Sequence, residues 1–177
     1  FIRGPRILGV GTTEMTLEGL INGRVLHESN VEGQIIGDYG GSESFTSVFV
    51  TYSDEGNPQI GVFYRLSDEE VEHYYSVPER WFHFTMTSEH NLGGLPPNPE
   101  DFKGESVVMI DGNVQGSVEL PAECRFDGDL VVGKMPNNNN DSEDSNPRIM
   151  LSDWVEHDAV LSENDINLLM NIPTEFQ

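Results

Sequence analysis

The chain has little cysteine and few basic residues. One cysteine, Cys124, among 177 residues excludes a disulfide within the chain. We interpret Cys124 as a small buried apolar side chain, with an interchain disulfide as the alternative. Lysine and arginine number 9 against 31 acidic residues, which gives a net charge of -22. Nucleic acid is excluded as a partner, because its phosphates need cationic side chains. Neutral glycans, cations and basic protein surfaces remain open.

Long apolar runs are also missing. A membrane-spanning helix needs about 20 consecutive apolar residues, so we expect no membrane insertion. A hydrophobic content of 36% still supports a core, and the length suits a single domain over residues 1–177. The sequence starts at Phe1 rather than methionine. We therefore expect a processed or trimmed chain.

Short alternating segments separated by turn residues dominate the sequence. An Asp111-Gly112-Asn113 turn predicts a tight hairpin. Ser162 and Asp165 predict a capping box at the start of one C-terminal helix, 162–170. Residues 137–147 are rich in Asn and Asp and predict a mobile acidic loop. The pattern indicates an all-β antiparallel sandwich, with strands at 45–52, 60–66, 80–87, 106–111, 114–120, 129–132 and 149–156.

Four segments in order resemble the laminin-G-like domains of the concanavalin-A-like jelly-roll family. They are MTLEGLI (15–21), WFHFTMT (81–87), VMIDGNV (108–114) and LSDWVEHDAVLS (151–162). The resemblance implies two antiparallel sheets in a jelly roll and a role in extracellular binding or adhesion. It also implies calcium at acidic sites near a sheet edge, although Ser152 stands where relatives often have aspartate. In these segments we expect packed positions for Trp81 and Trp154, and a structural hydrogen bond for His83.

The resemblance leaves enzymes of the same fold as one alternative. Retaining glycan hydrolases of this fold share a Glu-x-Asp-x-(x)-Glu strand that places two carboxylates in one cleft. Residues 156–158 begin like this motif, but Val160 and Leu161 follow where the second glutamate belongs. Gly-x-Ser-x-Gly and His-Glu-x-x-His are absent. We therefore predict a protein that is not an enzyme.

The predicted function is a binding or adhesion module for a neutral glycan or a protein. The alternative is a structural subunit of a filament, fibre or coat that self-assembles or binds neighbouring subunits. Exposed tyrosines stack on sugars and anchor interfaces, and the candidates are Tyr64, Tyr74 and Tyr75. Carboxylates are the ligands that Ca²⁺ prefers, and the candidates are Asp127, Asp129, Asp141 and Asp144. Asn140 begins an Asn-x-Ser triplet and is a candidate for glycosylation.

Overall fold

The computed structural model describes residues 2–4, 14–39, 44–66, 69–89, 104–120, 129–132 and 148–171. These residues form two antiparallel sheets and two short helices. The elements in chain order are β1 Ile2–Gly4, β2 Glu14–Asn22, α1 Gly23–Ser29, β3 Gly33–Tyr39, β4 Ser44–Tyr52, β5 Pro58–Leu66, β6 Glu69–Ser76, β7 Trp81–Glu89, β8 Gly104–Ile110, β9 Asn113–Leu120, β10 Asp129–Val132, β11 Leu151–His157 and α2 Glu163–Met170.

The first sheet has six strands in the order β1-β10-β3-β4-β5-β6. Alternate residues of its central strands are fully buried, because side chains along a strand point to opposite faces. Val48 and Val50 on β4 pair with Val62 and Ile60 on β5, and all four are at most 1% exposed. This face forms one half of the core.

The second sheet has five strands in the order β11-β2-β7-β8-β9. Phe82, Phe84 and Met86 of β7 supply much of the other half of the core. Asp111 and Gly112 make the predicted hairpin turn between β8 and β9, both with left-handed backbone (φ 51° and 73°). Glycine suits this conformation, because a side chain there is strained.

A bulge in β11 brings a tryptophan into the core. The register between β11 and β2 shifts between Ser152 and Val155, and Asp153 has a φ of 54°. The ring of Trp154 stacks on Phe84 at 6.2 Å and lies over Gly19. Trp154 is therefore packed, as its sequence segment predicted.

The C-terminal segment crosses the outer face of the five-stranded sheet. The Thr16 hydroxyl donates to the Ala159 carbonyl and accepts from the Leu161 amide. Further along, α2 reaches the β8–β9 turn, where Gly112 lies against Asn167 and Met170. Ser162 and Asp165 form the predicted capping box of α2.

These observations confirm the predicted fold class, a two-sheet antiparallel sandwich with a short C-terminal helix. A helix that the sequence did not predict, α1, follows β2 and is capped by Asn22. Within the described part of the chain, no helix is long and apolar enough to cross a membrane. The predicted loop at 137–147 and Cys124 lie outside the described residues, and the single-domain assignment stays a prediction.

Candidate functional site

A row of aromatic side chains crosses the outer face of the six-stranded sheet. Phe49 lies between the buried Val48 and Val50, so its ring points away from the core. Phe49 pairs with Gly61 on β5, and Gly61 pairs with Tyr74 on β6. The two rings meet edge to face, with centroids 5.8 Å apart and an interplanar angle of 89°. Tyr74 is 45% exposed and forms the solvent side of this aromatic row.

Gly61 makes the aromatic row possible. The ring of Phe49 leans across the strand and occupies the space where a Cβ at position 61 would lie. Without a side chain at Gly61, the ring of Phe49 reaches the ring of Tyr74 on the next strand. An edge-to-face arrangement of this kind is a favoured geometry for aromatic pairs, and it leaves part of the Tyr74 ring open.

Polar side chains flank the aromatic row on both sides. Thr51, Gln59 and Ser76 pair across β4, β5 and β6, two residues further along each strand and therefore on the same face. The Thr51 hydroxyl donates to Glu32 Oε1 at 2.7 Å. On the other side, the Tyr74 hydroxyl donates to Glu72 Oε2 at 2.5 Å. The row is thus bordered by one carboxylate on each side.

The carboxylates change the acidity of Tyr74. The hydrogen bond to Glu72 raises the pKa of the Tyr74 hydroxyl to about 12, and burial and the charges of Glu72 and Glu32 act in the same direction. The hydroxyl therefore stays protonated at every physiological pH. Its proton is held by Glu72, which leaves the hydroxyl oxygen free to accept a hydrogen bond.

The three predicted ligand-binding tyrosines are not brought together on one face. Tyr75 pairs with Ile60, packs against the core and lies close to Gly116 of β9. Burial raises the pKa of its hydroxyl. The backbone of Tyr64 pairs with Thr46 and Val71, and its side chain is not among those described. Of the three, Tyr74 is the one that the structure places on an exposed surface.

The predicted calcium ligands are mostly outside the described residues. Asp127, Asp141 and Asp144 lie there, as does Asn140. Asp129 begins β10, where its backbone pairs with Tyr39. Among the residues that the structure describes, no group of three or more His, Cys, Asp or Glu side chains is arranged to hold a metal ion.

A second polar cluster is buried under the C-terminal segment, on the outer face of the five-stranded sheet. Glu18 of β2 accepts from two imidazoles, His83 Nε2 at 2.5 Å and His157 Nε2 at 3.3 Å. Thr85 Oγ1 lies 3.3 Å from His83 Nδ1. Burial alone would raise the pKa of Glu18, but the hydrogen bonds and charges of the two histidines outweigh burial and hold the pKa below its ordinary value. The structural hydrogen bond predicted for His83 is present.

Trp81 differs from its prediction as a packed residue. It is 42% exposed at the start of β7, on the same face as His83. Its neighbour in the sheet is Asn22, whose amide contacts the exposed Met150 at Sδ. The alternation along β7 correctly predicted that Trp81 shares a face with His83. The sequence does not reveal that this face is exposed at the start of β7.

Solved structures with the same architecture include both binding domains and enzymes. The binding domain of botulinum neurotoxin serotype C1 has a TM-score of 0.59 at 19% identity, over 92% of this chain and 37% of the toxin domain. The serotype D domain has a TM-score of 0.56 at 16% identity, with 94% and 37% covered. An alginate lyase, solved with an alginate trisaccharide, has a TM-score of 0.52 at 12% identity, with 85% and 72% covered.

These likenesses define the class of the protein by its fold, an all-β jelly-roll-like sandwich. The chain spans little more than a third of the toxin binding domains that it resembles. No family model and no curated protein matches the sequence. At such identities the likeness extends to the fold alone, so the function has to be argued from the residues of this chain.

Proposed function

We propose that the chain is a non-catalytic, extracellular binding module of the laminin-G-like kind that holds a glycan on the outer face of its six-stranded sheet. The observation that carries this proposal is the exposed ring of Tyr74, which the ring of Phe49 contacts at a right angle over Gly61. The toxin binding domains of similar fold are compatible with a binding role.

The chemistry of this face suits a sugar. A pyranose has one flat apolar face that packs on an aromatic ring, and hydroxyls at its rim that need hydrogen-bond partners. Tyr74 supplies the ring, and Thr51, Gln59 and Ser76 line one side of it. Combining an apolar platform with a few fixed polar groups is the usual design of ligand sites. The braced ring also loses little conformational freedom on binding.

The non-catalytic part of the proposal rests on the carboxylates. Glycan hydrolysis by the usual route needs one carboxyl as an acid and another as a base or nucleophile. On this face Glu72 and Glu32 each accept a hydrogen bond from a neighbouring hydroxyl. The sequence also lacks the paired-carboxylate strand of the hydrolases with this fold. Fixed acceptors of this kind orient a ligand.

Replacing Tyr74 by alanine tests the proposal. We expect the protein to be retarded by at least one polysaccharide in affinity electrophoresis over a panel of glycans. Tyr74→Ala should weaken that binding at least tenfold, which corresponds to about 1.4 kcal/mol. Trp81→Ala removes an aromatic of similar exposure from the other sheet and should leave binding unchanged. Retardation that survives Tyr74→Ala would place the ligand elsewhere.

A structural subunit is the second proposed function, favoured by apolar surface on the five-stranded sheet. Trp81, Met150 and Val155 are 42–49% exposed, and Trp81 and Met150 both adjoin Asn22. Exposed apolar groups that lie together commonly mark contacts with another chain. Sedimentation that depends on protein concentration, and that Trp81→Ala abolishes, would favour this function over glycan binding.

A further inference from the structure

We propose that the glycan held by this face is cationic, a polymer of sugars with free amino groups such as linked glucosamine units. This inference rests on the proposed function and adds to it the charge of the ligand. It follows from three features of the aromatic row and its borders: the sign of the nearby charges, the direction of the hydrogen bonds, and the backbone distance between the rows of residues on either side.

The charged side chains described on this face are both carboxylates. Glu72 lies on β6 beside Tyr74, and Glu32 is held by Thr51 on the opposite side of the aromatic row. The negative charges of both carboxylates contribute to the raised pKa of the Tyr74 hydroxyl. Further along β5, the backbone of Arg65 pairs with that of Glu70. A neutral sugar would leave the two carboxylates uncompensated at its rim, whereas an ammonium group would pair with them.

Two of the hydroxyl protons beside the row are already donated to carboxylates. Tyr74 donates to Glu72, and Thr51 donates to Glu32. What these four side chains still offer is acceptor capacity, on the hydroxyl oxygens and the carboxylates. An ammonium group brings three protons and no acceptor. A cation over the exposed Tyr74 ring also gains from the negative face of the π-system.

The length of this face along the strands favours a repeating ligand. The row of Glu72 and the row of Thr51 lie four residues apart along the strands, which is about 13 Å at ~3.3 Å per residue. A chain of amino sugars places successive cations along its length while a ring between them stacks on Tyr74. A lysine-rich peptide would supply the charge but no flat apolar face for the ring.

The test compares oligosaccharides of equal length that differ in charge. Glucosamine hexamer, its fully N-acetylated form and a neutral glucose hexamer are titrated by calorimetry at a pH where the amines are protonated. We expect the glucosamine hexamer to bind at least tenfold tighter than the other two. That advantage should shrink as sodium chloride is raised, because salt screens exposed charges.

Two charge-neutralising variants separate the local site from the overall charge of -22. Glu72→Gln keeps an acceptor for Tyr74 but removes the charge, and should cost the glucosamine hexamer roughly tenfold in affinity. Glu105→Gln removes one exposed charge from β8 on the other sheet and should have no effect. Equal losses in the two variants would mean attraction by net charge and would overturn the inference.

The remaining outcomes distinguish the inference from the proposed function. Equal affinity for the three hexamers, lost in Tyr74→Ala, would overturn the inference that the ligand is cationic. Glycan binding at this face would remain supported. Binding of none of the hexamers, together with no retardation by any polysaccharide, would overturn both. A hexalysine peptide that binds as tightly, and also depends on Tyr74, would assign the face to basic peptides and overturn the amino sugar.

Discussion

Glu18 shows how a single residue fixes the outer face of the five-stranded sheet. Glu18 is 6% exposed, and its carboxylate links β2 to β7 and β11 through His83 and His157. Burying a charge is unfavourable unless it is paired and hydrogen-bonded. Here both oxygens have partners, so the cluster stabilises the sheet under conditions in which the carboxyl is ionised.

The pKa of Glu18 predicts how stability varies with pH. Because the pKa is lower in the folded state, the contribution of Glu18 is complete above its unfolded pKa of about 4.3. It is lost as the pH falls through the folded pKa. Glu18→Gln should therefore lower the free energy of unfolding by roughly 1–3 kcal/mol at neutral pH, and the gap to the native protein should narrow in acid.

Urea unfolding at pH 7 and in acid measures this gap. Glu105→Gln is the matched control, since its side chain is exposed on β8 and should change stability by less than about 0.5 kcal/mol at either pH. A gap for Glu18→Gln that stays constant with pH would show that the loss comes from packing and not from the ionised carboxylate.

Among the elements, α2 depends most on local chemistry. It has eight residues, and a helix that short is marginal without caps or tertiary contacts. Ser162 accepts from the Asp165 amide while the Asp165 carboxylate accepts from the Ser162 amide. The one buried side chain of the helix is Ile166. Cap and buried side chain together hold α2 over the sheet.

Removing the cap should loosen α2. We expect Ser162→Ala to lower the free energy of unfolding by about 1 kcal/mol, because the Asp165 amide loses its acceptor. Ser162→Thr keeps a hydroxyl and should stay close to the native value. Hydrogen exchange of the amides in α2 measures the effect. The exchange rate should be highest in the alanine variant. Unchanged exchange would mean that Ile166 alone secures the helix.

Strands with strong alternation could be predicted from the sequence, and the elements without it could not. In β7 the core residues Phe82, Phe84 and Met86 stand at every second position, and the capping box predicted the start of α2. In contrast, α1 has seven residues and one buried apolar side chain, Leu26, so it carries no helical stripe. The β6 strand is acidic and lies at a sheet edge, where alternation is weak because few of its side chains are buried.

The candidate site was predictable only in part. Tyr74 was one of the three tyrosines predicted to bind a ligand, whereas Phe49 was not predicted to belong to the site. Their meeting depends on the register of three strands and on Gly61 between them. No local pattern encodes that register. The same holds for Glu18 and His157, which lie 139 residues apart in the chain.

At the scale of the whole molecule, charge sets the response to solution conditions. A net charge of -22 makes the folded chain repel itself, and salt screens such repulsion. We therefore expect the melting temperature to rise with sodium chloride. The predicted calcium ligands Asp127, Asp129, Asp141 and Asp144 add a second expectation, a further rise with calcium at the same ionic strength.

Thermal unfolding with calcium, magnesium or a chelator at matched ionic strength separates the two effects. A calcium concentration about a hundredfold above Kd should add roughly 2.7 kcal/mol to the free energy of unfolding. Magnesium should not match it, because it demands a tighter octahedral site. Equal melting temperatures with calcium and with chelator would contradict specific calcium binding. Screening of the charges by salt would then be the only effect.

The pairing of β11 with β2 has a consequence for how the chain reaches its native state. Trp154 donates to the carbonyl of Leu20 across 134 residues of sequence, and among the described strands it is β11 that pairs with β2 on that side. During synthesis β2 must therefore wait, with one edge unpaired, until nearly all of the described chain has left the ribosome. Contacts this distant in sequence slow folding and prolong the time during which unpaired strand edges can aggregate.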